Sequence, residues 1–302
     1  MLTHIRGDKY NENTVLWCRG NRLLLFGTFS EAGIDVTLLA RGHRLDSLRE
    51  KGLRYKSGGA VKTARVRVID SLSDDDAYDF VFVTVREHQL YDVLKALKPN
   101  QSPNIVTMVN SLDTYDKWEE MCGRGRLIPA FPGAGGGFEG DILDAALTPS
   151  VIQPTTFAEI SGRQTGRTRL LADIFRRSHI PYQIVPDMHI WQLCHIAVVV
   201  PLADAYYEAA DPRHAGSDMK LMEKTALRIR RNLTLIKNSG RELSPAKINV
   251  FLKLSVAGIA KTLSKTYNSE MGERFMYRHS MKAPDEMREL HAKLYKYLGT
   301  LK

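Results

Sequence analysis

The chain has 302 residues, enough for two domains with cores of their own, and its 43% hydrophobic and 25% charged residues are those of a soluble globular protein. Its longest apolar stretch, Ile196–Ala203, is far too short to span a membrane. The N-terminus lacks an apolar signal segment, and its three cysteines (Cys18, Cys122, Cys194) form no CxxC pair, so the expected location is a reducing cytoplasm. The net charge of +9 would suit nucleic acid or anionic ligands. The basic residues are scattered, however, and stretches such as 167–179 and 220–232 read as solvated helix faces, so neither nucleic acid nor membrane is expected as a partner.

Along the first 185 residues, strand and helix patterns alternate. Ile34–Ala40 reads as a strand, and His43–Leu53 as a short helix ending at Gly52. Ala60–Ser71 alternates like one half-exposed strand, and Tyr78–Val85 is a continuous apolar run, as in a strand covered on both faces. A helix over Glu87–Pro99 stops at the proline, and Asn104–Ser111 is another buried strand. Asp113 is placed to cap a helix over 113–121. Arg126–Gly137 starts as a strand and opens into a glycine-rich turn; 140–149 and 150–162 are strand-like, and a helix runs from Thr165 to His179. Strands alternating with helices imply a mostly parallel sheet. From Pro186 the character changes: a long apolar helix over 187–210 is followed by amphipathic patterns at 216–238, 244–268 and 283–299. The expected class is α/β, a Rossmann-type doubly wound sheet (1–185, with 1–10 extraneous) followed by an all-helical domain (186–302).

Five segments, "EAGIDVTLLARGHRLDSLREKGL" (31–53), "DFVFVTVREHQLYDVLKAL" (79–97), "NIVTMVNS" (104–111), "FPGAGGG" (131–137) and "RHSMKAPDEMRELH" (278–291), occur in an order and spacing that resemble the ketopantoate reductase (2-dehydropantoate 2-reductase) family. The resemblance implies a cleft between the two domains holding NADPH and a 2-keto acid, a role related to pantothenate biosynthesis, and a helical domain used for substrate binding and dimerisation. The implied function is hydride transfer from NADPH to the carbonyl of a 2-keto acid or a related small compound. The alternative is an inactive member serving as a ligand-binding or scaffold protein.

The residues agree for the cofactor. Arg41 follows the second strand, where an NAD enzyme places an acidic residue on the ribose; arginine there suits the 2′-phosphate of NADP, and His43 and Arg44 add positive charge. Arg86 and Gln89 follow the next buried strand, where ligands collect in such sheets, and match a Lys and a Gln of the family that contact the cofactor. Asn110 matches an asparagine near nicotinamide and substrate, with Ser111 replacing the family's glycine. The 131–137 glycines have the composition of a phosphate cradle, but their late position favours a tight cleft-lining turn.

Elsewhere the chain departs from the family. Aligned on Pro201 and Trp191, the catalytic lysine and its two asparagines fall on Leu193, Ala197 and Val200, none of which can donate a proton or hold an oxyanion. His195, on the same helix, is the replacement acid if its pKa is near neutral; the other reading is a histidine satisfied within the helix. His279 and Glu286 match a motif near the cleft, although Glu286 could equally cap or bridge helices. The expected catalytic set is therefore His195, Asn110, Glu286 and His279, with no metal.

The glycines of the GxGxxG fingerprint fall on Trp17, Arg19 and Arg22, which cannot serve a close approach to pyrophosphate. Codon arithmetic offers an explanation. Read one nucleotide later, Trp17–Cys18 must begin with a glycine codon. The second frame permits "MKIL", two further residues and "GAGVIGS", an intact first strand and fingerprint. The expectation is a frame error corrected near Leu25–Gly27.

Overall fold

Apolar runs buried on both faces dictate the main sheet of the computed structural model, which describes residues 13–18 and 23–301. The chain runs β1 (Asn13–Cys18), α1 (Leu23–Glu31), β2 (Asp35–Leu39), α2 (His43–Lys51), β3 (Leu53–Ser57), β4 (Ala60–Ala64), β5 (Arg67–Ile69), β6 (Phe80–Thr84), α3 (Glu87–Ala96), β7 (Ile105–Met108), α4 (Tyr115–Cys122) and β8 (Leu127–Phe131). It continues through β9 (Ala134–Glu139), β10 (Ile142–Leu147), β11 (Thr155–Phe157), α5 (Gly166–Arg177) and β12 (Tyr182–Ile184). The main sheet has the order β12-β11-β8-β7-β6-β1-β2-β5. Pairing is parallel throughout, except between β8 and β11. From β5 to β8 this is the doubly wound order, with its switch point at β1, where Thr14 lies opposite Val36 on one side and Phe80 on the other. The segment whose residues look least like a nucleotide site thus still takes the central strand. Of the fingerprint positions, Trp17 lies in this strand, while Arg19 and Arg22 lie outside the described residues.

Both faces of the sheet are covered. On one, Phe26 and Phe29 of α1 pack edge-on and tilted against Phe82 of β6 and Phe175 of α5. On the other, α3 and α4 bury Leu90, Leu94 and Trp118.

Several expectations are corrected here. Residues 60–71 are two strands: β4 pairs antiparallel with β3 in a separate four-stranded sheet, β4-β3-β10-β9, whereas β5 joins β2 in the main sheet. One alternating pattern can serve two sheets, and Ser30 fixes the break by donating to the Arg65 carbonyl at 2.8 Å. The glycines after Phe131 form strand β9, antiparallel to β10 with Gly136 opposite Ala145, and are no turn. Asp113 does not cap α4; Thr114 holds that position without a side-chain bond, and Asp113 accepts from the Tyr91 hydroxyl instead.

The remainder is helical. α6 (Met188–Glu208) is capped by Asp187, whose carboxylate accepts from Ile190 N. α7 spans Met219–Asn238. The expected 244–268 helix is broken into a 3-10 turn (Ala246–Asn249), α8 (Val250–Lys253) and α9 (Val256–Tyr267), because Leu254 is extended and Ser255 caps a new start by accepting from Gly258 N. α10 (Glu270–Gly272), a π-helical turn (Glu273–Tyr277), α11 (Arg278–Lys282) and α12 (Pro284–Gly299) complete the chain. Among the described residues one helix, α6, is long and apolar enough to cross a membrane by length and composition, and most of its apolar window is buried, as in the core helix of this part.

Candidate active site

The C-terminal edge of the main sheet collects most of the residues singled out in the sequence. Past β2, Arg41 and His43 are exposed, while the Arg44 guanidinium sits 3.6 Å above the Phe138 ring of β9. Past β6, Arg86 is exposed, with its Nε 3.9 Å from Oε2 of Glu286 in the first turn of α12. Gln89, in the first turn of α3, has its Oε1 buried without a partner. Asn110, just past β7, is 5% exposed, and its Oδ1 is likewise unpartnered.

Next to Asn110, Ser111 has the opposite fate. Its hydroxyl donates to Oε1 of the buried Glu87 at 2.6 Å, and Oε2 of Glu87 takes Lys293 of α12 at 2.7 Å. Gln192 of α6 makes a second join between helices and sheet edge, donating to the Val109 carbonyl at 2.9 Å and accepting from the Tyr115 hydroxyl at 3.0 Å. These bonds fix α6 and α12 against the ends of β6 and β7.

Beside α6, past the end of β7, lies a cavity of about 510 Å³, whose walls include Asn110, His195 and His279. His195 is stacked on Trp191, with centroids 5.1 Å apart and planes 8° apart, and meets Phe131 at 4.4 Å. It is partly buried and lines the cavity. Burial between the two rings, assisted by the nearby His279, drives its pKa down to about 3, so the near-neutral value expected from the sequence is corrected: His195 is a neutral imidazole at pH 7. Glu286 does not line this cavity; it stands with Arg86 at the sheet edge.

The glycines of β9 also acquire a reason. A side chain at Gly135 would fall 2.5 Å from the Phe275 ring, and one at Gly137 would fall 2.3 Å from Lys282 Nζ. Gly136, at φ 131°, lies against the Asp144 carbonyl. The run is neither phosphate cradle nor turn; it is a strand stripped of side chains where the π-helical turn and α11 lie on it.

Residues 23–142 match the family described as ketopantoate reductase PanE/ApbA. A 2-dehydropantoate 2-reductase of Archaeoglobus fulgidus is 26% identical over 162 residues, 53% of this chain and 52% of that relative. Over these stretches the chain is similar to the ketopantoate reductase family. The chain spans about half the length of that curated relative. The fold extends further: a 2-dehydropantoate 2-reductase from Geobacter metallireducens aligns with a TM-score of 0.65 at 14% identity, covering 95% of this chain and 98% of that one. A D-mandelate dehydrogenase in a ternary structure with NADH and anilino(oxo)acetate aligns at a TM-score of 0.57 and 12% identity, covering 94% of this chain and 99% of that one.

The matched relatives are reductases by name, and one structural neighbour is a dehydrogenase with NADH bound. Unpaired buried acceptors at Gln89 and Asn110 fit a nicotinamide nucleotide, whose ribose hydroxyls and amide carry the donors these oxygens lack. The turn that would meet its pyrophosphate comprises residues 19–22, outside the described residues. Leu193, Ala197 and Val200, where the family's polar residues were aligned, are all 0% exposed in the helical core. The α6 positions that face the cavity are instead Trp191, His195, Val198, Val199, Leu202 and Ala203.

Three residues of this region were missed in the sequence. Gln192 had a signal, as a polar residue amid an apolar helix. Glu87 had a weaker one, being adjacent to Arg86. Lys247, at the cavity mouth and bound 2.8 Å from each of the Val151 and Ile152 carbonyls, had none.

Proposed function

We propose that the chain is an NADPH-dependent oxidoreductase interconverting the carbonyl of a 2-keto acid, or of a related small compound, with the hydroxyl. The convergence of Asn110, His195 and His279 on one cavity beside the switch-point edge of the sheet carries this reading. Arg41 and His43 would meet the 2′-phosphate, and Gln89 and Asn110 the nicotinamide riboside; the bound cofactor supplies the hydride. Arg44 is held over Phe138 and serves that end of the site by charge. Asn110 holds the substrate through its amide. His195, neutral and wedged between Trp191 and Phe131, donates a hydrogen bond to the substrate oxygen as charge develops there. His279, exposed to solvent on the other wall, is the group from which a proton re-enters the cavity. Arg86 and Glu286 hold the sheet edge and α12 together, which makes Glu286 a positioning residue.

A second reading, an inactive ligand-binding or scaffold member, is favoured by one observation: at pH 7 His195 holds no proton in excess to give. Nucleotide fluorescence separates the two when combined with NADPH oxidation across 2-keto acids. Arg41→Ala should weaken NADPH about tenfold and leave NADH unchanged; equal losses would remove the phosphate assignment. Cofactor binding without turnover of any 2-keto acid would favour the inactive reading.

The family match begins at Leu23, past Trp17, Arg19 and Arg22 and within a few residues of the frame correction expected near Leu25–Gly27. This supports the frame error inferred from the codons; a locus whose DNA holds no GxGxxG in the second frame would refute it.

A further inference from the structure

We infer that Glu87 and Lys293 are positioning residues for Asn110, acting on it through the hydroxyl of Ser111; this deepens the oxidoreductase reading and rests on it for the cofactor. Residues 109–114 form neither helix nor strand, yet Val109, Asn110, Ser111 and Leu112 are all buried. Such a segment has no ladder to set its path, so its course depends on side chains that reach in from elsewhere. Gln192 donates to the Val109 carbonyl, and Nε2 of His189 lies 3.2 Å from the Leu112 carbonyl. Between these two points, at the residue beside Asn110, the tie is Ser111. Its hydroxyl donates to Glu87 at 2.6 Å and accepts from Asp113 N at 3.0 Å, which closes a turn directly after Asn110. Oδ1 of Asn110 has no partner of its own, so the backbone beneath it carries the aim of the amide.

Glu87 is buried at the start of α3, and both its oxygens are engaged, Oε1 by Ser111 and Oε2 by Lys293 at 2.7 Å. A buried carboxylate keeps one geometry only while such partners hold it. Lys293 lies seven residues after Glu286, two turns along one face of α12, and that face meets the consecutive residues Arg86 and Glu87. The outer contact, Arg86 to Glu286, is long and half exposed; the inner one is short and enclosed on the Glu87 side. The rigid line therefore runs Lys293, Glu87, Ser111, Asn110, and a glycine at 111 would break it at its middle link.

The test uses the full chain and two readouts. One is NADPH affinity by fluorescence titration; the other is the side-chain amide signal of Asn110 in proton–nitrogen correlation NMR, assigned by its loss in Asn110→Ala. Lys293→Met and Ser111→Gly should each weaken NADPH about tenfold, as for one lost hydrogen bond to a charged group, and should shift or broaden the Asn110 signal. Lys293→Arg, which keeps the ion pair, should stay within about twofold of the parent and leave the signal in place. Ser111→Gly keeps the test open if burying Glu87 without its ammonium prevents folding. Leu171→Ala, in the core on the opposite face of the sheet, also costs stability and should move neither readout. An Asn110 signal unmoved in both variants overturns the inference, as does a moved signal with unchanged affinity in a parent that binds NADPH. If the parent binds no NADPH, the cofactor reading falls, and the Asn110 signal alone still upholds or overturns the positioning.

Discussion

Helix α6 has two faces that are both apolar and do different things. One carries Leu193, Ala197 and Val200, each fully enclosed by the other helices. The other carries Trp191, His195, Val199 and Leu202 and borders open space. The first face is packing, where any volume or charge change is felt by the core. The second has room and holds the only imidazole on the helix that can meet a ligand. Function on this helix depends on rotation about its axis, and a shift of two positions moves a residue from cavity wall to core.

Placing a lysine on each face tests this most severely. Leu193→Lys buries an unpaired ammonium and should cost more than about 4 kcal/mol. Val199→Lys, which reaches the cavity, should cost about 1 kcal/mol. Urea unfolding of the two variants side by side measures the difference, and equal losses would abolish the distinction between the faces.

His195 sharpens the cavity side through pH. Its folded pKa of about 3 lies below the ordinary 6.5, so between these values the unfolded chain holds a proton that the folded one lacks. Stability is therefore complete above pH 6.5 and falls as pH drops, by up to about 1.4 kcal/mol per pH unit from this residue. In thermal melts from pH 7 to 4, His195→Phe should lose less stability than the parent over the same span; parallel curves would show the imidazole is not buried.

Gln192 belongs to neither face and ties the helix to the sheet. Gln192→Leu strands the Val109 carbonyl and the Tyr115 hydroxyl, an expected loss of about 2 kcal/mol in chemical denaturation. The smallest effect is expected off the helix, where Arg86 and Glu286 are 3.9 Å apart and the arginine is half exposed. Glu286→Gln should change stability by less than about 0.5 kcal/mol. A KM shift at constant kcat would mark it as positioning the substrate side.

The strands easiest to read in the sequence were those buried on both faces, such as β6 and β7, where sheet burial alone dictates composition. Strands β3 and β12 went unread because each is short and half-polar, and its pairing is set by distant segments. The glycine run misled because its cause, Phe275, stands 140 positions away in the chain. Asn110 in the cavity wall was legible because a strand's C-terminal end is a position the sequence marks, and the same mark places Arg41 past β2. His195 was legible as a residue but not in its protonation, since the rings of Trp191 and Phe131 that enclose it come together only in the folded chain.

Lys247 reaches across the cavity mouth to the main-chain oxygens of Val151 and Ile152, touching nothing that depends on which side chains those residues carry. The tether is blind to sequence on one side. The rim at Val151 and Ile152 can accept new side chains while its backbone stays moored, so the entrance can be reshaped for a different guest without loosening the door frame.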